Sequence, residues 1–174
     1  MKNIFGIGLP RTGTSSLAEA LRTLGYSGEN YCILQNKREK DTLVPYDTFS
    51  FKVDNSFFNI YKELFYGSLD SKFILTTREA DTWKKSIDNF LSVTNINNLP
   101  HISTYTQEVL KFFSDRGALH NLLVVDLFDD KCDCACKWKN LYKFLGIDPQ
   151  VELGTFPHIA WEGYGHRRYE NESV

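Results

Sequence analysis

Apolar positions along the chain fall into two patterns: short continuous runs, and longer stretches in which they recur every three or four residues. These are the marks of buried strands and of amphipathic helices. The run NIFGIG at residues 3–8 reads as a short buried strand. TSSLAEALRTLG, residues 14–25, reads as a helix with Leu17, Ala20, Leu21 and Leu24 on one face and Gly25 just past its end. TFSFKVD (48–54) gives a second strand, SFFNIYKELFYG (56–67) a helix stopped by Gly67, and KFILTT (72–77) a third strand of apolar and β-branched residues. DTWKKSIDNFL (81–91) is then a helix with Asp81 as its N-cap. After the polar loop NINNLP, STYTQEVLKFFSDRG (103–117) reads as a helix, NLLVVD (121–126) as a fourth strand, and WKNLYKFLG as part of a last helix carrying Trp138, Leu141, Phe144 and Leu145. From Gly146 onward periodicity fades, so residues 146–174 are expected to be an irregular C-terminal segment of one domain spanning 1–174.

Strands that alternate with helices argue for a three-layer α/β/α fold with a mainly parallel sheet, because parallel neighbours need helical crossovers that cover both faces. In such sheets ligands bind beyond the carboxyl ends of the strands. Four segments bring polar groups there: Arg11 to Ser15 after the first strand, Lys52 and Asp54 at the end of the second, Arg78 after the third and Asp126 at the end of the fourth.

Composition narrows the partners. The 20 Lys and Arg residues stand against 22 Asp and Glu, so no bulk positive field recruits nucleic acid, and any anion site is local. No stretch reaches the ~20 apolar residues of a membrane span, and the first strand begins at Asn3, which leaves no room for a signal peptide. A cytoplasmic setting is the expectation. The four cysteines, Cys32 and the set Cys132, Cys134 and Cys136, lack the paired spacing of a zinc site and are read as reduced thiols.

The candidate chemistry starts at GLPRTGTSSL. Gly8-x4-Gly13-Thr14-Ser15 has the spacing of a phosphate-binding loop, in which backbone N–H groups at a helix N-terminus form an anion nest. A nucleotide triphosphatase or P-loop kinase places a lysine where this chain has Thr14, and also needs an acidic magnesium ligand. Here the cation is Arg11, inside the loop.

This segment resembles the 5′-phosphosulfate loop of sulfotransferases, written Pro-Lys-Ser-Gly-Thr-Thr or Pro-Arg-Ser-Gly-Thr-Thr in that family and Pro10 to Ser15 here. A second similarity lies in KFILTTREADTWKKSI, where Arg78 and, eight positions later, Ser86 match the family's 3′-phosphate ligands. The likeness runs from Ile4 to about Phe90, with fainter echoes in LLVVDLF, WKNLYKFLGI and FPHI, as in small bacterial-type members. It implies a P-loop-like nucleotide-binding fold and an enzyme. That enzyme would move a sulfuryl group from 3′-phosphoadenosine 5′-phosphosulfate to a hydroxyl or amine of a small molecule or glycan, with no metal required.

The resemblance also assigns residues. Arg11, Thr12, Gly13, Thr14, Ser15 and Ser16 would hold the 5′ end of the donor, Arg78 and Ser86 its 3′-phosphate, and Arg167 and Arg168 would belong to a C-terminal loop closing over it. Lys52, in FKVD, matches the lysine beside the sulfuryl group. Cytosolic members have a histidine base two residues later. This chain has Asp54 there, and Glu29 stands where glycan and tyrosyl members carry a glutamate, so the two carboxylates are rival bases. His158 could border the site. A P-loop kinase or hydrolase and a non-catalytic nucleotide-binding protein remain as alternatives, the latter because the chain is short for a cytosolic sulfotransferase.

Overall fold

The computed structural model describes residues 3–31, 51–54, 57–92, 98–148 and 154–159. They form strands β1 (Ile4–Gly6), β2 (Gly28–Tyr31), β3 (Phe51–Asp54), β4 (Lys72–Thr77) and β5 (Leu122–Asp126), and helices α1 (Thr14–Thr23), α2 (Tyr61–Gly67), α3 (Ala80–Leu91), α4 (Ile102–Ser114) and α5 (Cys134–Leu145). The sheet order is β2-β3-β1-β4-β5. Every pairing is parallel, and β1 sits at the centre with Ile4 opposite both Phe51 and Lys72.

Alternation along the strands sorts the core into two layers. Phe5 on β1 and Phe73 and Leu75 on β4 join side chains of α2, α3 and α4 such as Phe65, Ile87 and Phe113. Ile4, Ile74, Phe51, Val53 and Val125 face the other way, into a cluster with Leu17 and Leu21 of α1 and Trp138 and Leu141 of α5. The result is a three-layer α/β/α sandwich. Burial on both faces explains why KFILTT is a continuous apolar run rather than an alternating one. Among the described residues no helix is long and apolar enough to cross a membrane.

Several elements differ from the sequence reading. The sheet has a fifth strand, β2, whose residues Gly-Glu-Asn-Tyr carry no β-branched or alternating signal; it pairs only with β3 and lies at the sheet's edge. The segment read as one helix from residue 56 opens with a 3₁₀ turn at Phe57–Asn59 and becomes α-helical only at Tyr61, though it ends at Gly67 as read. Cys132 and Cys136 form a disulfide rather than standing as reduced thiols, and Cys134 is the free cysteine among the described residues. Cys132 lies just before the Asp133 N-cap and Cys136 in the first turn of α5, with their Cα atoms 5.3 Å apart, a separation that a disulfide spans.

The N-cap of α3 is Glu79, not Asp81. Its carboxylate accepts from the Asp81 and Thr82 N–H groups at 2.9 and 2.7 Å and from the Thr82 hydroxyl. A longer side chain thus does what the shorter one was expected to do, because the chain enters the helix two residues earlier. The Thr82 hydroxyl, followed by the two backbone N–H groups, lowers the Glu79 pKa from 4.5 to about 2. A depressed carboxylate pKa contributes stability above the unfolded value and loses it as pH falls through the folded one. Glu79→Ala is therefore expected to lower the melting temperature at neutral pH, and the deficit is expected to shrink as pH drops from 4.5 toward 2, followed by thermal melts across that range. A deficit that stays constant with pH would contradict an ionised cap.

Candidate functional site

The connection from β1 leads to one side of the sheet, toward β3 and β2, whereas β4 and β5 lie on the other. The crevice beyond the carboxyl ends of β1 and β4 is thus the topological switch point, where open α/β sheets bind ligands. The loop 7–13 and Arg78 both lie at that point.

The loop is held by its carbonyls. The Tyr105 hydroxyl donates to the Ile7 carbonyl at 2.7 Å, the Thr12 hydroxyl to that of Leu9 at 2.7 Å, the Trp83 indole N–H to that of Pro10 at 2.9 Å, and Arg78 Nη1, at a longer 3.4 Å, to that of Arg11. Burial pushes the Tyr105 phenol well above its ordinary range, so it stays protonated and donates. With these carbonyls engaged by side chains, they do not compete for the loop's N–H groups. The backbone agrees with this, because Arg11 (φ 69°) and Gly13 (φ 92°) are both left-handed, the alternation that builds an anion nest. Arg11 carries a side chain at a dihedral that costs roughly 1–2 kcal/mol; the clamps on Pro10 and Arg11 hold it there.

Two glycines in the loop serve different ends. Gly13, the N-cap of α1, supplies the positive φ and makes no side-chain cap. Gly8 supplies room: a Cβ there would collide with Thr76 Oγ1 and lie 2.7 Å from Thr12 Oγ1 and 2.8 Å from the Thr76 carbonyl. The Thr12 and Thr76 hydroxyls are 2.7 Å apart and buried. Since the single Thr12 proton goes to Leu9, Thr76 is the donor of this pair. Of the side chains assigned to the donor's 5′ end, the Thr12 hydroxyl therefore serves the loop itself. Ser16 Oγ accepts from the Ile159 N–H at 3.0 Å, which ties residues 154–159 to α1. Thr14 is buried and Ser15 half-buried at the start of the same helix.

The cations converge. Arg11 Nε donates to Ser86 Oγ at 2.9 Å across the mouth of the crevice. Sequence spacing pairs Ser86 with Arg78; the structure places it on Arg11, with Arg78 bonded to the Arg11 carbonyl, so all three form one cluster. Arg78 Nε is buried without a hydrogen-bond partner. The guanidinium instead stacks on Phe128, with its carbon 4.1 Å from the ring centroid. Asp126 lies nearby; burial raises its pKa, and its Oδ1 accepts from the Phe128 N–H at 2.8 Å.

The remaining assigned residues fall to either side. Lys52 is half-buried on β3, paired in register with Phe5 on one side and Glu29 of β2 on the other, while Asp54 ends β3 opposite Tyr31. His158 is exposed, with its ring 5.8 Å from that of Phe128. Arg167, Arg168 and Cys32 lie outside the described residues. Of the aromatic residues around β3 and α2, Phe51, Phe57, Tyr61 and Phe65 are core, and Tyr66 is exposed.

Sequence reasoning did not single out Trp83, Tyr105, Thr76 or Phe128. The first three act on loop carbonyls or hydroxyls 64 to 98 residues away, a relation no local pattern carries. Phe128 offered one signal, its position two residues after the strand-ending Asp126.

No curated protein matches the chain. The family model of the sulfotransferase domain matches residues 3–145, a span that takes in the nest, Lys52, Arg78, Ser86 and Phe128. The chain belongs to the sulfotransferase family, and it is a transferase.

Proposed function

We propose that this protein transfers a sulfuryl group from 3′-phosphoadenosine 5′-phosphosulfate to a hydroxyl or amine acceptor, a small molecule or glycan, in a cytoplasmic setting. The observation that carries the reading is the cation cluster at the switch point. A backbone nest with Arg11 adjoins a second cation, Arg78, whose Nε is buried without a partner. An orphaned buried guanidinium nitrogen is costly unless an anion completes it. One anion at the nest and another at Arg78 match a nucleotide phosphorylated at both ends of its ribose.

The donor supplies an activated sulfuryl group, whose in-line transfer to an acceptor leaves the 5′-phosphate behind. The protein's part is charge compensation and proton removal. Arg11 and the N–H groups of Gly13 to Ser16 would hold the 5′ end and the leaving oxygen. Arg78 would hold the 3′-phosphate through its planar fork, which suits a phosphate better than an ammonium does. Ser86 accepts from Arg11 and keeps its own proton for a further acceptor. Lys52 would stabilise charge at the sulfuryl group, and Asp54 or Glu29 would take the acceptor's proton. The residues present fit the nucleotide, and no role here calls for a metal ion. Arg167 and Arg168 remain candidates for a closing segment.

Adenosine 3′,5′-bisphosphate tests the donor assignment without knowledge of the acceptor. At about 100 times its dissociation constant a ligand stabilises the native state by roughly 2.7 kcal/mol, or roughly 5–10 °C in melting temperature for a chain of this size. ATP with magnesium lacks the 3′-phosphate and should stabilise much less. Arg78→Ala should reduce the bisphosphate shift, measured against the variant's own unliganded melt. A larger shift with ATP–Mg²⁺ would favour a kinase, and no shift with either nucleotide would end the donor assignment. Bisphosphate binding with no sulfated product across a panel of alcohols, phenols and amines would favour a binding protein.

A further inference from the structure

Phe128, in the turn after β5, touches two parts of the site at once. Its ring carries the Arg78 guanidinium at 4.1 Å, and its Cε2 lies 3.3 Å from where a Cβ on Gly13 would stand, so the same ring abuts the phosphate loop at the start of α1. Its place is fixed from behind by the 2.8 Å bond from its N–H to Asp126 and by Leu127, which is buried against the same glycine.

How Arg78 is held matters chemically. A carboxylate partner would fix the guanidinium by occupying its donor edge, the edge a phosphate needs. A ring fixes the plane through its face and leaves the in-plane N–H groups available. Here the nearby carboxylate, Asp126, accepts from the Phe128 backbone, Arg78 Nε has no partner, and Nη1 makes one long bond of 3.4 Å.

We infer that Phe128 is a positioning residue for the second anion subsite: stacking holds the Arg78 fork open for the 3′-phosphate and ties its position to that of the nest. The inference rests on the nucleotide reading above. It assigns Phe128 no contact with the reacting atoms. Because the ring bears on both Arg78 and Gly13, it also sets the separation between the two anion subsites, and with it the preference for a nucleotide carrying two phosphates.

The test is calorimetric titration of wild type, Phe128→Leu, Phe128→Tyr, Arg78→Ala and the Phe128→Leu/Arg78→Ala double variant with adenosine 3′,5′-bisphosphate and with adenosine 5′-monophosphate. Phe128→Leu should weaken the bisphosphate about five- to tenfold, the range of a partly desolvated cation–π contact, and leave the monophosphate unchanged. Phe128→Tyr, which keeps the ring and guards against a mere folding defect, should bind like wild type. In the Arg78→Ala background, Phe128→Leu should cost nothing more. Equal losses for both nucleotides, or additive losses in the double variant, would overturn the inference by making the ring an adenine platform or simple scaffold. Wild type preferring the bisphosphate with no effect of Phe128→Leu would sink the inference alone; wild type binding both nucleotides equally would remove the nucleotide reading and the inference with it.

Discussion

Lys52→Ala is expected to lower the rate of sulfuryl transfer by about 10²–10³-fold, the usual effect of removing one preorganised donor from developing negative charge, while donor affinity changes little. The residue stands on the strand next to β1, paired with Phe5, two residues before the phosphate loop begins. Phe51 and Val53 on either side are buried under α1 and α5, so alternation sends position 52 to the opposite face of the sheet. Single-turnover rates and bisphosphate titration of the same variant separate chemistry from binding. An equal loss in both would make Lys52 a ligand of the donor rather than a stabiliser of the transition state. The rival bases answer to the same assay. Register places Asp54 one step beyond the Gly6–Val53 pair, level with the start of the loop, whereas Glu29 is two residues lower and one strand further out. At about 3.3 Å per residue that is a sizeable difference in reach. Asp54→Asn is therefore expected to slow transfer more than Glu29→Gln, and full activity in both variants would remove a side-chain carboxylate as the base.

Gly8→Ala is the second substitution with a large expected effect, and it acts through packing. The new methyl group cannot stay beside Thr76, because one of its contacts is the backbone carbonyl and another the Thr12 hydroxyl that closes the loop. Overpacking of this kind costs roughly 1–3 kcal/mol, which in a chain of this size is about 3–10 °C of melting temperature. The loop is pushed off β4, so the nest should lose its response to adenosine 3′,5′-bisphosphate as well. A variant that melts and binds like wild type would mean that the Thr12–Thr76 contact does not set the loop.

The parts of this architecture legible in the sequence are those specified by local pattern. KFILTT coincides with β4, α1 ends just before Gly25 with φ 84°, and β1 is central as the loop's position suggests. The nest was legible because glycine spacing and a following helix are local. Strand β2 was not, since an edge strand of Gly, Glu, Asn and Tyr is defined by its partner β3 rather than by its own residues. The grouping of Ser86 with Arg11 was hidden for a similar reason. Spacing along the chain fixes Ser86 relative to Arg78, but the side chain that reaches it comes from 75 residues earlier. The disulfide lay in a cysteine pattern that fits no metal framework, and it joins Cys132, before the Asp133 N-cap, to the first turn of a helix that begins earlier than the apolar spacing around Trp138 suggests.

The clamps on the loop carbonyls bear on the order in which the molecule acquires its shape. The donors from Arg78, Trp83 and Tyr105 lie 67, 73 and 98 residues along the chain from the carbonyls they hold. Contacts of such separation pay their closure entropy before they are rewarded, and they form slowly. A nascent chain that has emerged only to Pro100 carries the whole phosphate loop and still lacks Tyr105. The anion cradle therefore cannot take its clamped form before α4 is present to supply Tyr105, and the ten residues from Gly8 to Leu17 moved into another scaffold would carry the glycines without the clamps.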